Sequence, residues 1–285
     1  MFAVAGVSGR VGAATAEGLI RRGQKVRVLV RNEAQGEPWL RRHCEVAVVD
    51  LNDSAALAAS LKGLTGAFLL LPPSQAADPL AAQAEMLSKM VAGVKKATGL
   101  KSLAFLSSAG AQHPAGTGPI VSLYKAEKAL TNIVPSVTFV RAAYFLENWV
   151  PSFMPALETG ELPFFGHVHL KFSQVCAHDI GDAAAAALEE QVHGTRYIEV
   201  AGKENWSVED VAAVLTSLLG TNIKAVELPV EAAKEGLERA GLPPVMAGLY
   251  AELYQAMSRG LLHFAHPHQV KRGPTSLFDA IKPMV

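Results

Sequence analysis

Only two cysteines, Cys44 and Cys176, occur in 285 residues. Neither sits in a Cys-x-x-Cys pair, so they cannot staple a secreted scaffold; a reducing compartment fits, and the cytoplasm is the expected location. Charge is scarce and balanced: 18% of positions are charged, with 26 basic residues against 26 acidic ones. Nucleic acid is therefore not an expected partner, because neutralising phosphates needs a clustered basic excess. Long hydrophobic runs are missing too. The apolar stretch 67–71 stops at Pro72-Pro73, far short of a membrane span. The chain enters an apolar segment directly after Met1 without a basic leader, so no signal peptide is expected. Against these absences, half of the residues are hydrophobic, enough to bury a sizeable core and to exclude global disorder.

What is present is an alternation of short apolar runs with alanine-rich helical patterns. Strands are expected over 2–6, 25–30, 45–49, 67–71 and 101–107. Helices are expected over 10–22, from a cap at Asn52 or Asp53 to Leu61, and over 78–97. Strands apolar on both faces and separated by helices signal a parallel sheet covered on both sides. The expected class is α/β, a Rossmann-type doubly wound sheet that binds ligands at the carboxyl ends of its strands. After about residue 140 the pattern loosens. Pro151, Pro155 and Pro163 recur, a strand-like stretch spans 171–176, and Asp179 is placed to cap a helix over 183–187. A late strand covers 197–201, Ser207 and Asp210 have capping-box spacing ahead of a helix to Leu219, and helical segments follow at 230–241 and 244–259. The expected organisation is a dinucleotide-binding core, 1–150, with a smaller C-terminal α/β substrate lobe, 151–285, interwoven with it.

The most informative segment is Gly6-Val-Ser-Gly9-Arg-Val-Gly12, between the first strand and an amphipathic helix. Glycines there let the backbone turn tightly and let a pyrophosphate approach the amides, and the helix start supplies positive partial charge. Gly6, Ser8, Gly9, Arg10, Val11 and Gly12 are thus candidate cofactor contacts. The GxxGxxG spacing resembles the extended and atypical members of the short-chain dehydrogenase/reductase superfamily. The second strand then bears on cofactor choice. An acid at its end would hold an adenosine ribose and repel a 2′-phosphate; this chain has Arg31-Asn32 instead. A guanidinium there can pair with a 2′-phosphate, with Arg10 joining it, which favours NADP(H) over NAD(H). Asp50 and Leu51 close the third strand, Leu70, Leu71 and Pro72 the fourth, and Ser107 and Ser108 the fifth, all at carboxyl ends facing the same expected site.

The order and spacing of several further stretches resemble the NmrA-like branch of the atypical short-chain dehydrogenase/reductases. These are AGVSGRVG, VRVLVRN, VVDLND, AFLLLPP, LAFLSSAGA, KAEKAL, TFVRAAYFLENW, AHDIGDAAAAAL, WSVEDVAAVLTSLLG and GPTSLFDAI. That resemblance implies a Rossmann core with a smaller C-terminal lobe and NADP-dependent reduction of quinones or dyes. The alternative it leaves is a non-catalytic NADP(H)-binding redox sensor, and the aromatic segment after Arg141 favours the enzyme. The resemblance also implies that Tyr144, Phe145, Asn148 and Trp149 lie beside the nicotinamide, where with Phe164 and Phe165 they can line a flat substrate pocket. Ordinary aromatic core packing is the other reading of the same residues.

The superfamily's proton-transfer pair is Tyr-x-x-x-Lys, one helical turn apart. Tyr124 and Lys128 have that spacing and are the best candidates for it. The register disagrees. In extended relatives the lysine precedes a helix glutamate by four, and that glutamate resembles Glu127, which puts the lysine slot at Leu123 and the tyrosine slot at Pro119. Lys125 can reach a nicotinamide ribose, and His113, in the loop after the fifth strand, is a candidate substrate contact or acid. No HExxH, CxxC or GxSxG motif is present, so neither a metal site nor a serine hydrolase is expected. The expected partner is a small planar molecule, with the chain a monomer or homodimer and no membrane involved.

Overall fold

The computed structural model describes residues 1–285. The chain opens with β1 (Phe2–Ala5), α1 (Arg10–Arg21), β2 (Val26–Val30), α2 (Glu33–Leu40), β3 (Glu45–Val48) and α3 (Ser54–Leu61). It continues through β4 (Gly66–Leu69), α4 (Pro79–Lys96), β5 (Ser102–Ser108), α5 (Val121–Leu130) and β6 (Ser136–Ala142). The rest comprises β7 (Tyr144–Phe145), α6 (Val150–Thr159), β8 (Glu161–Phe165), β9 (Phe172–Val175), α7 (Ala177–Glu190) and β10 (Gly194–Ala201). After these come β11 (Asn205–Trp206), α8 (Val208–Leu219), β12 (Lys224–Leu228), α9 (Ala233–Arg239), α10 (Pro244–Ser258), β13 (Lys271–Arg272) and α11 (Leu277–Ile281). No helix is long and apolar enough to cross a membrane.

The main sheet has eight strands in the order β13-β10-β6-β5-β4-β1-β2-β3. Parallel registers join β1 to β2 and β4, β2 to β3, and β4 to β5. The chain therefore adopts the α/β class its patterning predicts. The order reverses beside β1: β1 runs on to β2 and β3 on one side and to β4 on the other, so its carboxyl end is where a crevice opens. Two interleaved compact units build the molecule, the first from Met1–Ser107, Ser122–Arg141 and Ala177–Ile198, the second from Ser108–Val121, Ala142–Cys176 and Glu199–Val285.

In the first unit, Phe68, Phe105, Phe139, Leu57 and Met90 are fully buried. Helices α1 and α7 lie close because glycines face small residues across their seam. A Cβ on Gly181 would stand 2.4 Å from the Ala14 Cβ and 2.6 Å from the Thr15 nitrogen. Gly181→Ala therefore forces the helices apart, and a loss of about 1–3 kcal/mol in urea unfolding is expected; a loss below about 0.5 kcal/mol would show that the seam can widen freely.

The second unit packs Trp149, Phe153, Leu162, Phe164, Trp206 and Leu215 into its own core. Its α8 starts with a reciprocal capping box, Ser207 accepting from the Asp210 amide and Asp210 from the Ser207 amide, as its spacing predicts. Two expectations for the late chain shift. Helix α7 begins at Ala177, so Asp179 lies inside the first turn and not at a cap. The stretch 230–241 is helical only from a short 3-10 turn at Val230–Ala232 through Arg239.

Candidate active site

The glycine turn is held by its own backbone. The Gly9 amide donates to the Gly6 carbonyl at 2.9 Å, and the Ala13 amide to the Gly9 carbonyl at 3.1 Å, starting α1. Gly6 has φ +71°, the left-handed region that glycine enters without a Cβ penalty. Gly12 has a different reason. A Cβ there would lie 2.3 Å from the Gly6 oxygen and 2.6 Å from the Ala5 oxygen. Gly9 has neither reason: its φ is −105°, and a Cβ would meet nothing nearer than the Gly6 oxygen at 3.4 Å. No side chain caps α1 and no acid lies in its first turn, so the orphan amides of that turn are open to an anion. These features fit a dinucleotide pyrophosphate.

The strand ends differ in how committed their side chains are. Arg10 and Arg31 are exposed. The Arg31 amide donates to Gln35 Oε1 at 3.1 Å, and Asn32 Oδ1 accepts the Gln35 amide to cap α2. Asp50 is exposed, and one of its oxygens accepts from both the backbone and the side chain of Asn52. Leu70 and Pro72 are half-buried and Leu71 buried, just beyond β4, and the Leu70 Cδ2 would sit 2.7 Å from a Cβ on Gly6. Leu51 is half-buried at the core's edge. Ser108 donates to the Ala109 carbonyl at 2.9 Å.

Ser107 belongs to a buried network. Its hydroxyl donates to Glu127 Oε1 at 2.7 Å, and Arg141 donates Nε and Nη2 to the two Glu127 oxygens at 2.9 and 2.7 Å. Glu127 is 3% and Arg141 5% exposed. The guanidinium carbon also stands 4.3 Å from the Tyr197 ring centroid. Burial and the Glu127 carboxylate push the Tyr197 phenol up, and Arg141 pulls it back. Glu127 is thus a clamp between α5, β5 and β6, a structural part its position in the sequence does not disclose.

Around that clamp, α5 presents the other candidates. The Lys128 ammonium lies over the face of the Tyr124 ring, 5.4 Å from its centroid. Tyr124 is half-buried, while Lys125 and Lys128 are exposed. Leu123 packs against the core, and Pro119 sits in the 3-10 turn Gly118–Ile120 ahead of the helix. Neither Pro119 nor Leu123, the slots expected from the register, carries a group that can move a proton.

Beside the turn, a groove of about 640 Å³ is lined by Val7, Ser8, Glu17, Gln35, Pro38, Trp39, Arg41 and Arg42. The sequence reading passes over α2 because Gly36 and Pro38 interrupt its period, yet Asn32 caps it and Trp39 is 6% exposed. An N-cap asparagine followed by an isolated tryptophan is the signal that could have found it.

In the second unit, Tyr144, Trp149, Phe164, Phe172 and Tyr254 form a chain of ring contacts at 5.5 to 6.1 Å. Trp149 and Phe164 are 3% and 6% exposed and serve that unit's core; Trp149 donates its indole N–H to Gln174 Oε1 at 2.8 Å. Tyr144, Phe145 and Phe165 are half-buried and Asn148 exposed. Desolvation, with Tyr254 and Tyr250 adding to it, raises the Tyr144 phenol well above the usual tyrosine range, while a hydrogen bond from Asn148 opposes this. His113 is half-buried, edge-on to His263 at 5.7 Å, with its Nε2 buried and without a hydrogen-bond partner. No three His, Cys, Asp or Glu side chains converge as metal ligands.

The model of one protein family, the NmrA-like family, matches residues 1–258. The chain belongs to the NmrA-like family. This NmrA-like chain is 28% identical over 264 residues to quinone oxidoreductase 2 of Escherichia coli K12, covering 91% of itself and 89% of that protein. It is 25% identical to the NAD(P)H azoreductase of Xenophilus azovorans over 254 residues, covering 89% of itself and 86% of the azoreductase. Among solved structures, an NADPH-dependent quinone oxidoreductase from E. coli complexed with NADPH superposes with TM-score 0.83 at 24% identity, over 100% of this chain and 99% of the other. Triphenylmethane reductase of Citrobacter sp. complexed with NADP(H) gives 0.81 at 20% identity, over 100% of both chains. These superpositions place the NmrA-like chain's fold from end to end.

Proposed function

We propose that the chain is an NAD(P)H-dependent reductase that prefers NADP(H) and passes hydride to a small, planar electrophile such as a quinone. The observation that carries the reading is the glycine turn: Gly9 has no packing reason to be glycine, and it opens a helix whose first-turn amides lack a cap. The names of the curated relatives, a quinone oxidoreductase and an NAD(P)H azoreductase, support the same class of reaction. A bound nicotinamide dinucleotide supplies the hydride. The turn amides hold its pyrophosphate, Arg31 pairs with a 2′-phosphate, and Asp50 accepts from the adenine amino group. Leu70 and Pro72 line its path over the strand ends, Ser107 being buried and committed to Glu127, and the half-buried rings of Tyr144 and Phe165 give a flat substrate its contact.

The proton requirement selects the substrate. With Pro119 and Leu123 in the superfamily's slots, no placed phenol–ammonium pair delivers a proton. A quinone suits such a site, since its reduction leaves a delocalised oxyanion that water can protonate. Tyr124→Phe should therefore lower turnover by less than about tenfold with cofactor affinity intact, where loss of a true general acid costs on the order of 10²–10⁴. A collapse in turnover at unchanged NADPH affinity would make Tyr124 the acid and move the substrate class to ordinary carbonyls. The reading as a whole is tested by following NADPH oxidation with a panel of quinones, azo dyes and carbonyls. NADPH binding in calorimetry without turnover of any of them would overturn it in favour of a redox sensor.

A further inference from the structure

We infer that α10 completes the substrate site: the hydroxyls of Tyr250 and Tyr254, with that of Tyr144, hold an oxygen of the planar acceptor, and this ring-walled patch without a cation selects uncharged acceptors over sulfonated or carboxylated ones. This rests on the reading of the chain as a reductase of small planar electrophiles and adds two residues that neither the glycine turn nor the segment after Arg141 supplies.

Tyr250 and Tyr254 stand one helical turn apart on α10 and so share a face. Two rings from β8 fix Tyr254: Phe164 and Phe165 lie edge-on to it, with centroids 5.5 and 5.4 Å away. Phe165 is itself seated on α9, where a Cβ on Gly236 would stand 2.5 Å from its Cζ. Tyr144 joins from β7, edge-on to Phe172 at 5.6 Å. The three phenols share one neighbourhood, since Tyr254 and Tyr250 both act on Tyr144, and Tyr250 acts on Tyr254. Tyr144, Phe165, Tyr250 and Tyr254 are half-buried, so each keeps part of its ring open to a ligand. Asn148 donates to the Tyr144 oxygen, which leaves the Tyr144 O–H to donate elsewhere. No hydrogen bond within the chain engages the hydroxyl of Tyr250 or Tyr254. Desolvation raises the Tyr144 and Tyr254 phenols, so both stay protonated donors through the neutral range. No ammonium or guanidinium acts on either phenol. The one ionised residue of α10 is an acid, Glu252, and α9 pairs its own charges, Lys234 with Glu238 and Arg239 with Glu235. Neutral donors on an aromatic wall suit a carbonyl or hydroxyl oxygen. A sulfonate entering there would lose hydration with no opposite charge to offset the loss.

The experiment uses the full chain with NADP⁺ present and two probes that share a ring system but differ in charge, 2-naphthol and naphthalene-2-sulfonate. Neither accepts hydride, so binding is read apart from turnover. Calorimetry should find naphthol bound more tightly than the sulfonate by about tenfold or more, because the sulfonate meets no cation. Tyr250→Phe and Tyr254→Phe keep the rings and remove one hydroxyl each. Each should weaken naphthol by roughly two- to tenfold, the worth of one neutral hydrogen bond, and leave the sulfonate within about twofold. The KM for 1,4-naphthoquinone should rise by a like factor with kcat held, as for an interaction made equally in the ground and transition states. Absence of naphthol binding, equal affinities for the two probes, or a naphthol affinity unchanged in both variants would overturn the assignment. A change in only one variant would strike the other tyrosine from the site. Naphthol binding that depends on both hydroxyls, with no NADPH oxidation by any quinone, would bring down the reductase reading and leave the site standing. An unchanged thermal transition shows that the rings still pack; were it to drop, the neutral-to-anionic ratio of the unmutated protein would still decide.

Discussion

Arg141→Met is expected to remove about 3–5 kcal/mol of folding stability, because it strands the Glu127 carboxylate inside the first unit. The carboxylate takes three hydrogen bonds, two from Arg141 and one from Ser107, and at 3% exposure it has almost no water to replace them. The double variant Glu127→Leu/Arg141→Met should recover most of the loss, since removing both charges removes the desolvation debt of each. Urea unfolding of the three proteins decides the matter. A single-variant loss below about 1 kcal/mol would mean that the pair is solvated in the working protein. A second readout is specific to the contact: Arg141 holds the Tyr197 phenol down against burial and Glu127, so the alkaline titration of that phenol should move upward in Arg141→Met.

The second large effect is at the turn, where two glycines should separate folding from binding. Gly12→Ala drives a Cβ against backbone, 2.3 Å from the Gly6 oxygen and 2.4 Å from the Gly6 carbonyl carbon. Neither can yield without opening the turn, so stability should fall by about 1–3 kcal/mol and NADPH affinity by on the order of a hundredfold or more, or about 2.7 kcal/mol. Gly9→Ala meets no such clash, its nearest contact being 3.4 Å, and its backbone conformation is extended. Stability should stay within about 0.5 kcal/mol, while the new methyl group stands where the pyrophosphate approaches and weakens NADPH by about tenfold or more, roughly 1.4 kcal/mol. Calorimetry with NADPH alongside thermal unfolding tests both. A Gly9→Ala protein that binds NADPH normally would remove the turn from the cofactor site.

The parts of this architecture that the sequence discloses are those set by local chemistry. Each of the first five strands is an apolar run stopped by glycine, proline or a polar cluster, and the turn announces itself by three glycines between a strand and a helix. Ser207 and Asp210 declare α8 in the same way. Helix α2 escapes notice because Gly36 and Pro38 break its period, and with it go Gln35, Trp39, Arg41 and Arg42. The second unit is harder to read because β7, β11 and β13 have two residues each, too few for an alternation to show. Its division into three separate stretches of chain depends on contacts between distant residues, which no local pattern encodes. The role of Glu127 is hidden for a related reason: on α5 it reads as one more charged helix residue, and only the arrival of Arg141 and Ser107 from two strands makes it a clamp.

The two thiols bear on how the chain would survive the quinone chemistry proposed for it. Quinones arylate accessible thiolates, and a reductase that handles them meets that hazard at each encounter. Cys44 and Cys176 are 6% and 5% exposed. Desolvation raises the Cys44 thiol above its ordinary range, against a smaller pull from Arg42. The nucleophile in arylation is the thiolate, and a buried thiol with a raised pKa supplies little of it. A chain with two cysteines, both kept from solvent, offers an electrophilic substrate almost nothing to alkylate, so its turnover should outlast exposures that poison enzymes with surface thiols.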